Sequence, residues 1–272
     1  MKMFRKTIMM ILVLLLFSAV TVSAQSVGAV YSNNSAQIDW GSLSISGGSL
    51  STYGSYYSWS RSYATDAWWL PPTMTSYVSD YQAATAVTNA SSTSGTPASF
   101  NYALSSGATM SLTITASAEA EVSVAGDAFS AEGLAQRGQT YLVGTGGTIN
   151  FSIDYSFLSQ ALEATEGYAY GYVRAWAQLR LYNWDTGTYD LIGPPVIEVS
   201  QYNITADDFT LAAPFNDDLS LSYDAKAGDY LLFETGVDAR SAVQKAVVPI
   251  PGAVWLLGSG LLGLVGIRRF RN

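Results

Sequence analysis

The stretch Met110-Ser-Leu-Thr-Ile-Thr-Ala-Ser-Ala-Glu-Ala-Glu-Val-Ser-Val124 puts an apolar or small residue at every even position and a polar one at every odd position. A helix would scatter Leu112, Ile114, Ala116, Ala118, Ala120 and Val122 around its circumference, whereas a pleated strand sets them all on one face. The segment therefore predicts β structure, half-buried against a core. Fifteen residues exceed an ordinary strand, so one long bent strand or two joined by a bulge are expected.

The same period recurs at Ile149, Phe151, Ile153, Tyr155 and Phe157, alternating with Asn150, Ser152, Asp154 and Ser156. Between the two runs, Gly144-Thr-Gly-Gly147 suits a tight connection. Residues 168–182 alternate in another way. Ala169, Gly171, Val173, Ala175, Ala177, Leu179 and Leu181 form a small aliphatic face, and Tyr168, Tyr170, Tyr172, Arg174, Trp176, Gln178, Arg180 and Tyr182 form an aromatic face broken by cations. Asn183-Trp-Asp-Thr-Gly187 reads as a hairpin turn, Thr188 to Ile192 as the returning strand, and Gly193-Pro194-Pro195 as its end. Leu219 to Tyr223 and Tyr230 to Glu234, with a turn at Asp224 to Asp229, read as a further hairpin. Strands punctuated by turns roughly every ten residues predict an all-β chain built as an antiparallel β-sandwich or jelly roll. The helix expected is one short crossover over Leu158 to Glu166, and Asn89 to Pro97 reads as a loop or linker inside one domain spanning 25–247.

The two ends differ from this middle. Lys2, Arg5 and Lys6 precede the apolar run Ile8 to Phe17, and Val22-Ser23-Ala24 supplies small residues before Gln25. That is the pattern of a secretory signal peptide over 1–24, cut between Ala24 and Gln25. At the other end Val247 to Ile267 holds 21 residues without a charge, enough as a helix to cross about 30 Å of hydrocarbon. Arg268, Arg269 and Arg271 follow it, which predicts a transmembrane helix with its basic end in the cytoplasm and the domain on the far side.

Six of the thirteen Lys and Arg belong to these ends, leaving seven cations against twenty-one carboxylates and a net charge of −14 over 25–247. Such a surface disfavours nucleic acid, whose phosphates reward clustered cations. With no cysteine and no histidine, disulfides, thiolate nucleophiles, Ser-His-Asp triads and the usual zinc ligands are excluded. Calcium has candidate ligands in the clustered oxygens of Asp207-Asp208, Asn216-Asp217-Asp218, and Asp224 with Asp229. Their spacing matches no EF-hand loop, and such residues also fill turns by bonding nearby backbone, so no cofactor is expected. The carboxylate pairs Glu119 with Glu121 and Glu163 with Glu166 are the candidates for acid and base work on a glycosidic bond, but solvated charges on a polar strand face are ordinary, and the chain is not expected to be an enzyme.

The last 25 residues carry a recognisable order. Val248-Pro249-Ile250-Pro251, then Ala253-Val-Trp-Leu-Leu-Gly-Ser-Gly-Leu-Leu-Gly-Leu264, then the arginines, resemble the PEP-CTERM sorting signal of Gram-negative bacteria in its VPxP-type form. Ile250 stands where the namesake acidic residue would be. The resemblance implies recognition and cutting by an exosortase near the proline motif, with the apolar run as a transient inner-membrane stop and Arg268, Arg269 and Arg271 as its inner-face lock. It further implies release to the cell surface or the exopolysaccharide matrix. The function expected is therefore structural or adhesive, within exopolysaccharide or biofilm, with carbohydrate binding on the face of Tyr168, Tyr170, Tyr172, Arg174, Trp176 and Tyr182. Rings on a sheet can stack on sugar faces, and arginines can bond hydroxyls or uronate carboxylates. The same rings can instead pack against a second domain or the Tyr- and Trp-rich segment Tyr53 to Tyr81. The alternatives are an extracellular carbohydrate-active enzyme and a permanently anchored surface receptor.

Overall fold

A computed structural model describes residues 29–65, 76–82, 86–96, 99–109, 112–124, 126–205 and 208–246. The expected signal peptide and its cleavage site, the tail that resembles a PEP-CTERM signal with its expected transmembrane span, residues 66–75 of the Tyr- and Trp-rich segment, and Asp207 all lie outside them. The chain is all-β and antiparallel, with fourteen strands and no helix among the described residues. No helix there is long and apolar enough to cross a membrane.

The strands are β1 (Val30–Ser46), β2 (Ser49–Thr65), β3 (Ser76–Gln82), β4 (Ala86–Thr96), β5 (Ser99–Thr109), β6 (Thr113–Val122), β7 (Ala128–Thr145), β8 (Gly147–Ala164), β9 (Gly167–Asn183), β10 (Thr188–Leu191), β11 (Val196–Thr205), β12 (Asp208–Ala212), β13 (Phe215–Ala225) and β14 (Tyr230–Lys245). One sheet runs β8-β1-β6-β5-β4, with β12 and β13 sharing the outer edge of β8 end to end. The other runs β9-β14-β7-β2-β3, with β10 and β11 sharing the outer edge of β9. Both edge ribbons are broken at proline, Pro194-Pro195 in one and Pro214 in the other. Proline cannot donate to a ladder, so a continuous edge strand cannot form there.

The inner faces of the two sheets meet: β14 lies against β1 and β6, β7 against β5 and β6, and β2 against β5. The core between them is graded. On one side Ile38, Trp40, Phe151, Tyr155, Leu179 and Phe233 are buried, with Phe151 and Phe233 stacked at 5.0 Å and Trp40 tilted against Phe233 at 5.8 Å. On the other side the inner faces hold Ala116, Ala118 and Ala120 of β6, Ala131, Gly133 and Ala135 of β7, and Ser58, Ser60, Ser62 and Ala64 of β2. Here the sheets approach until backbone touches backbone. A Cβ added to Gly133 would fall inside van der Waals contact of the Ser106 and Ser117 carbonyl oxygens, and one added to Gly107 would meet the Leu134 carbonyl.

Several sequence expectations hold and several are corrected. Ile114, Ala116, Ala118, Ala120 and Val122 are buried as the alternation predicts, but the strand is ten residues long and Leu112 lies before it, 61% exposed. Residues 158–164 are strand, not helix. A bulge at Leu158 shifts the register against β1, so the buried set passes from Ile149, Phe151, Ile153, Tyr155 and Phe157 to Gln160, Leu162 and Ala164. That change of parity gives a 3- to 4-residue spacing that imitates a helix. Residues 89–96 are not a linker. They belong to β4, which pairs with β5 along its whole length. Nor do Leu219–Tyr223 and Tyr230–Glu234 form a hairpin: β13 joins β8 in the first sheet and β14 joins β7 and β9 in the second. The turn between them crosses from sheet to sheet, as do the turns at Gly47-Gly48 and at Gly146. Gly47 has φ +78° and lies against the Thr148 carbonyl, a position that a side chain would strain and crowd at once.

Gly133→Ala should lower stability by roughly 1–3 kcal/mol through overpacking, measured by urea unfolding. Ser106→Ala, which keeps the backbone contact and loses one hydroxyl, should cost under about 1 kcal/mol. Equal stability of Gly133→Ala and the parent chain would refute the close approach.

Candidate functional site

The predicted row of β9 does share one face, the outer face of the second sheet, and registers with β14, β7 and β2 extend it across four strands. Tyr168, Tyr172, Arg174, Trp176 and Tyr182 are half-buried and Tyr170 is buried. Tyr57 and Trp59 of β2 are neighbours in this sheet and lie on the same face, so this part of the Tyr- and Trp-rich segment flanks the row.

Two intervening strands carry glycine where the rings need room. The Trp176 indole occupies the space a side chain at Gly236 would fill, and the Tyr57 ring does the same at Gly138. Both rings thus lie down along the sheet. A ring laid over glycine is held by the flanking strands and turns a broad side outward.

Beneath the aromatic layer sits a lattice of buried carboxylates under half-exposed guanidiniums. Asp238, with no exposed surface, is held by Arg174. Glu132 lies between Arg61 and Arg240, each at 3.0 Å. Glu234 takes the Arg180 Nε at 2.6 Å, the Gln178 Nε2 at 2.6 Å, the Gln136 Nε2 at 3.3 Å and the Tyr57 hydroxyl. Arg240 also lies 5.2 Å from the centre of Tyr172, and Arg61 5.5 Å from that of Trp59. Solvent therefore meets the cations, which are 30–37% exposed, while the carboxylates are at most 7% exposed.

Burial, working against the Arg174 guanidinium, holds the Asp238 carboxyl above the ordinary aspartate range. Burial and the Glu234 charge together push the Tyr57 hydroxyl far above the usual phenol range, and burial raises Tyr170 and Tyr172 in the same direction. Tyr57, Tyr170 and Tyr172 therefore stay neutral at physiological pH.

No family model matches the chain, and no curated protein matches it.

The carboxylates of the lattice were missed in the sequence, although a signal exists. Glu234, Gly236, Asp238 and Arg240 alternate with Phe233, Thr235, Val237 and Ala239, which marks a strand whose second face is charged.

The other candidates are dispersed. Glu119 and Glu121 lie on the outer face of β6, where Glu119 accepts the Tyr31 hydroxyl at 3.2 Å. Glu163 is exposed at the end of β8, and Glu166 turns to Lys245 at 3.8 Å. Asp224 accepts from Thr148 Oγ1, Asp229 from the Lys226 backbone N–H, and Asp218 from Ser152 and Ser220, which hold its carboxyl below the ordinary range. Asp217 and Asp218 line a shallow cleft with Asp39 and Asp154. Among the described residues no group of three or more acidic side chains is arranged to hold a metal ion.

The raised Asp238 pKa gives a signed prediction. Its stabilising contribution is complete below the unfolded aspartate value of about 3.9 and is lost as pH rises through the higher folded value. The stability of Asp238→Asn relative to the parent chain should therefore improve as pH rises above about 4, read from urea midpoints. A difference that does not change with pH overturns this. Arg174→Ala should cost roughly 3 kcal/mol at neutral pH, because it leaves a buried carboxylate without its cation.

Proposed function

We propose that this chain is an exported surface or matrix protein whose second-sheet outer face binds carbohydrate. On this reading the two sheets form a β-sandwich spanning 25–247, delivered across the inner membrane by the signal peptide. The C-terminal segment holds it there until an exosortase cuts near Pro249 and Pro251. The domain then serves a structural or adhesive role in exopolysaccharide.

The observation that carries the binding reading is the Trp176 indole laid over Gly236 on a strand that also presents Arg174 and Arg180. A flat ring stacks on the apolar side of a pyranose, and guanidinium groups alongside it bond hydroxyls or uronate carboxylates. Each arginine is positioned by a buried carboxylate, so little side-chain freedom is lost when a ligand binds. The export reading is supported by the uncharged run Val247 to Ile267, the arginines after it and the basic-apolar start of the chain.

Two measurements test this. The intact mass of the secreted form should correspond to a chain that begins at Gln25 and ends near Val248, whereas full retention of the tail would indicate a permanently anchored receptor. On glycan arrays that include uronate polymers, Trp176→Ala should weaken binding roughly tenfold, and Tyr170→Ala should weaken it less, since Tyr170 is buried. Unchanged binding in both variants rejects this face as the site, and release of reducing sugar from purified matrix would favour an enzyme instead.

A further inference from the structure

A second group of rings sits at the strand ends, at the pole opposite to where the described chain begins and ends. Val30 and Lys245 lie together: Gly167 is close to Val30 and to the Gln244 carbonyl, and Lys245 pairs with Gly167. β2 begins, β9 ends and β14 begins at the other pole. There Tyr53, Tyr182, Trp184, Tyr189 and Tyr230 meet edge to face. Tyr53 and Tyr230 are 4.7 Å apart, Trp184 and Tyr230 5.6 Å, Tyr182 and Trp184 4.8 Å, and Tyr182 and Tyr189 5.1 Å, with interplanar angles of 67–83°.

Trp184 is 70% exposed and Tyr53 54%. The turn that carries Trp184 is fixed by Asn183, whose backbone carbonyl accepts from Gly187 at 2.8 Å and whose Oδ1 accepts from the Asp185 N–H at 2.9 Å. Asn183 Nδ2 in turn donates to Asp190 at 2.7 Å. The largest apolar side chain is thus presented to water on a braced support, at an energetic cost that a ligand would relieve.

The geometry points to a second saccharide site at this pole, for an uncharged glycan. Rings with hydroxyl or indole N–H groups at their rims suit a pyranose: its flat side stacks and its hydroxyls bond the polar rims. Charge sets the class of sugar. The two turns here, Asn183 to Gly187 and Lys226 to Asp229, carry Asp185 and Asp229 against Lys226, and Asp190 lies on the adjoining β10, so a uronate or sulfated chain is repelled here, in contrast to the arginine-bearing face. The site stands on its own observations and does not depend on binding at Trp176.

The test is affinity electrophoresis of the secreted domain in gels containing hydroxyethylcellulose, dextran or polygalacturonate. At least one neutral polymer should retard the parent protein, with retardation weakened roughly tenfold in Trp184→Ala and partly retained in Trp184→Phe. Trp176→Ala should keep the neutral-polymer response, so failure at one site is distinguishable from failure at the other. Trp184 is exposed, and an unchanged thermal midpoint verifies that its variants fold. No retardation of the parent protein by either neutral polymer, an unaltered response in Trp184→Ala, or equal losses in Trp184→Ala and Trp176→Ala would each overturn a separate tip site.

Discussion

Backbone meets backbone where Gly133 of β7 faces the carbonyls of Ser106 and Ser117, and again where Gly107 faces that of Leu134. Stacked sheets ordinarily lie about 10 Å apart, a distance filled by side chains. A local approach this close admits only glycine, alanine and serine nearby, which accounts for the alanines of β6 and β7 and the serines of β2. The aromatic and aliphatic bulk must then collect on the other side, under β1, β8, β9 and β14. Without a disulfide, stability depends on this graded fit, because small residues bury little apolar area each and contribute through closeness of contact.

The outer face of the second sheet answers a different constraint. Three carboxylates rest against the sheet with almost no contact with water, a position costly for any of them alone. Each is compensated by at least one guanidinium, and Glu234 also takes two amides and a phenol. The arrangement costs desolvation energy and in return fixes the orientation of long side chains that would otherwise sample many rotamers. The rings share that order, because the charged groups occupy the gaps between them and two glycines supply the room in which they lie.

Much of the strand content could be read from period-two alternation, and the residues found buried in β6, β8 and β9 are largely those the alternation names. What escaped reading has a physical cause in each case. The bulge at Leu158 reverses parity within one strand, so a rule that assumes unbroken alternation sees a helix. β4 lacked a recognisable signal because Ala86 to Thr96 is nearly all small and polar, the composition of a loop. The turn at Lys226 to Asp229 has the residues of a hairpin, but turn chemistry is local and cannot tell which sheet receives the next strand. For the candidate face, the β9 row was legible as a list of side chains, while the carboxylates that position it come from strands far away in sequence and become neighbours only through sheet pairing.

β14 is bonded to β7 and to β9 over fifteen consecutive residues each, and its last residue leads directly into the C-terminal segment. A pull on that segment, resisted at the far end of the domain, runs lengthwise along this strand. The two ladders are then loaded in shear, many bonds at a time, instead of being unzipped singly. Force applied along this direction is therefore shared among many bonds at once, the arrangement that gives a sheet its greatest mechanical resistance.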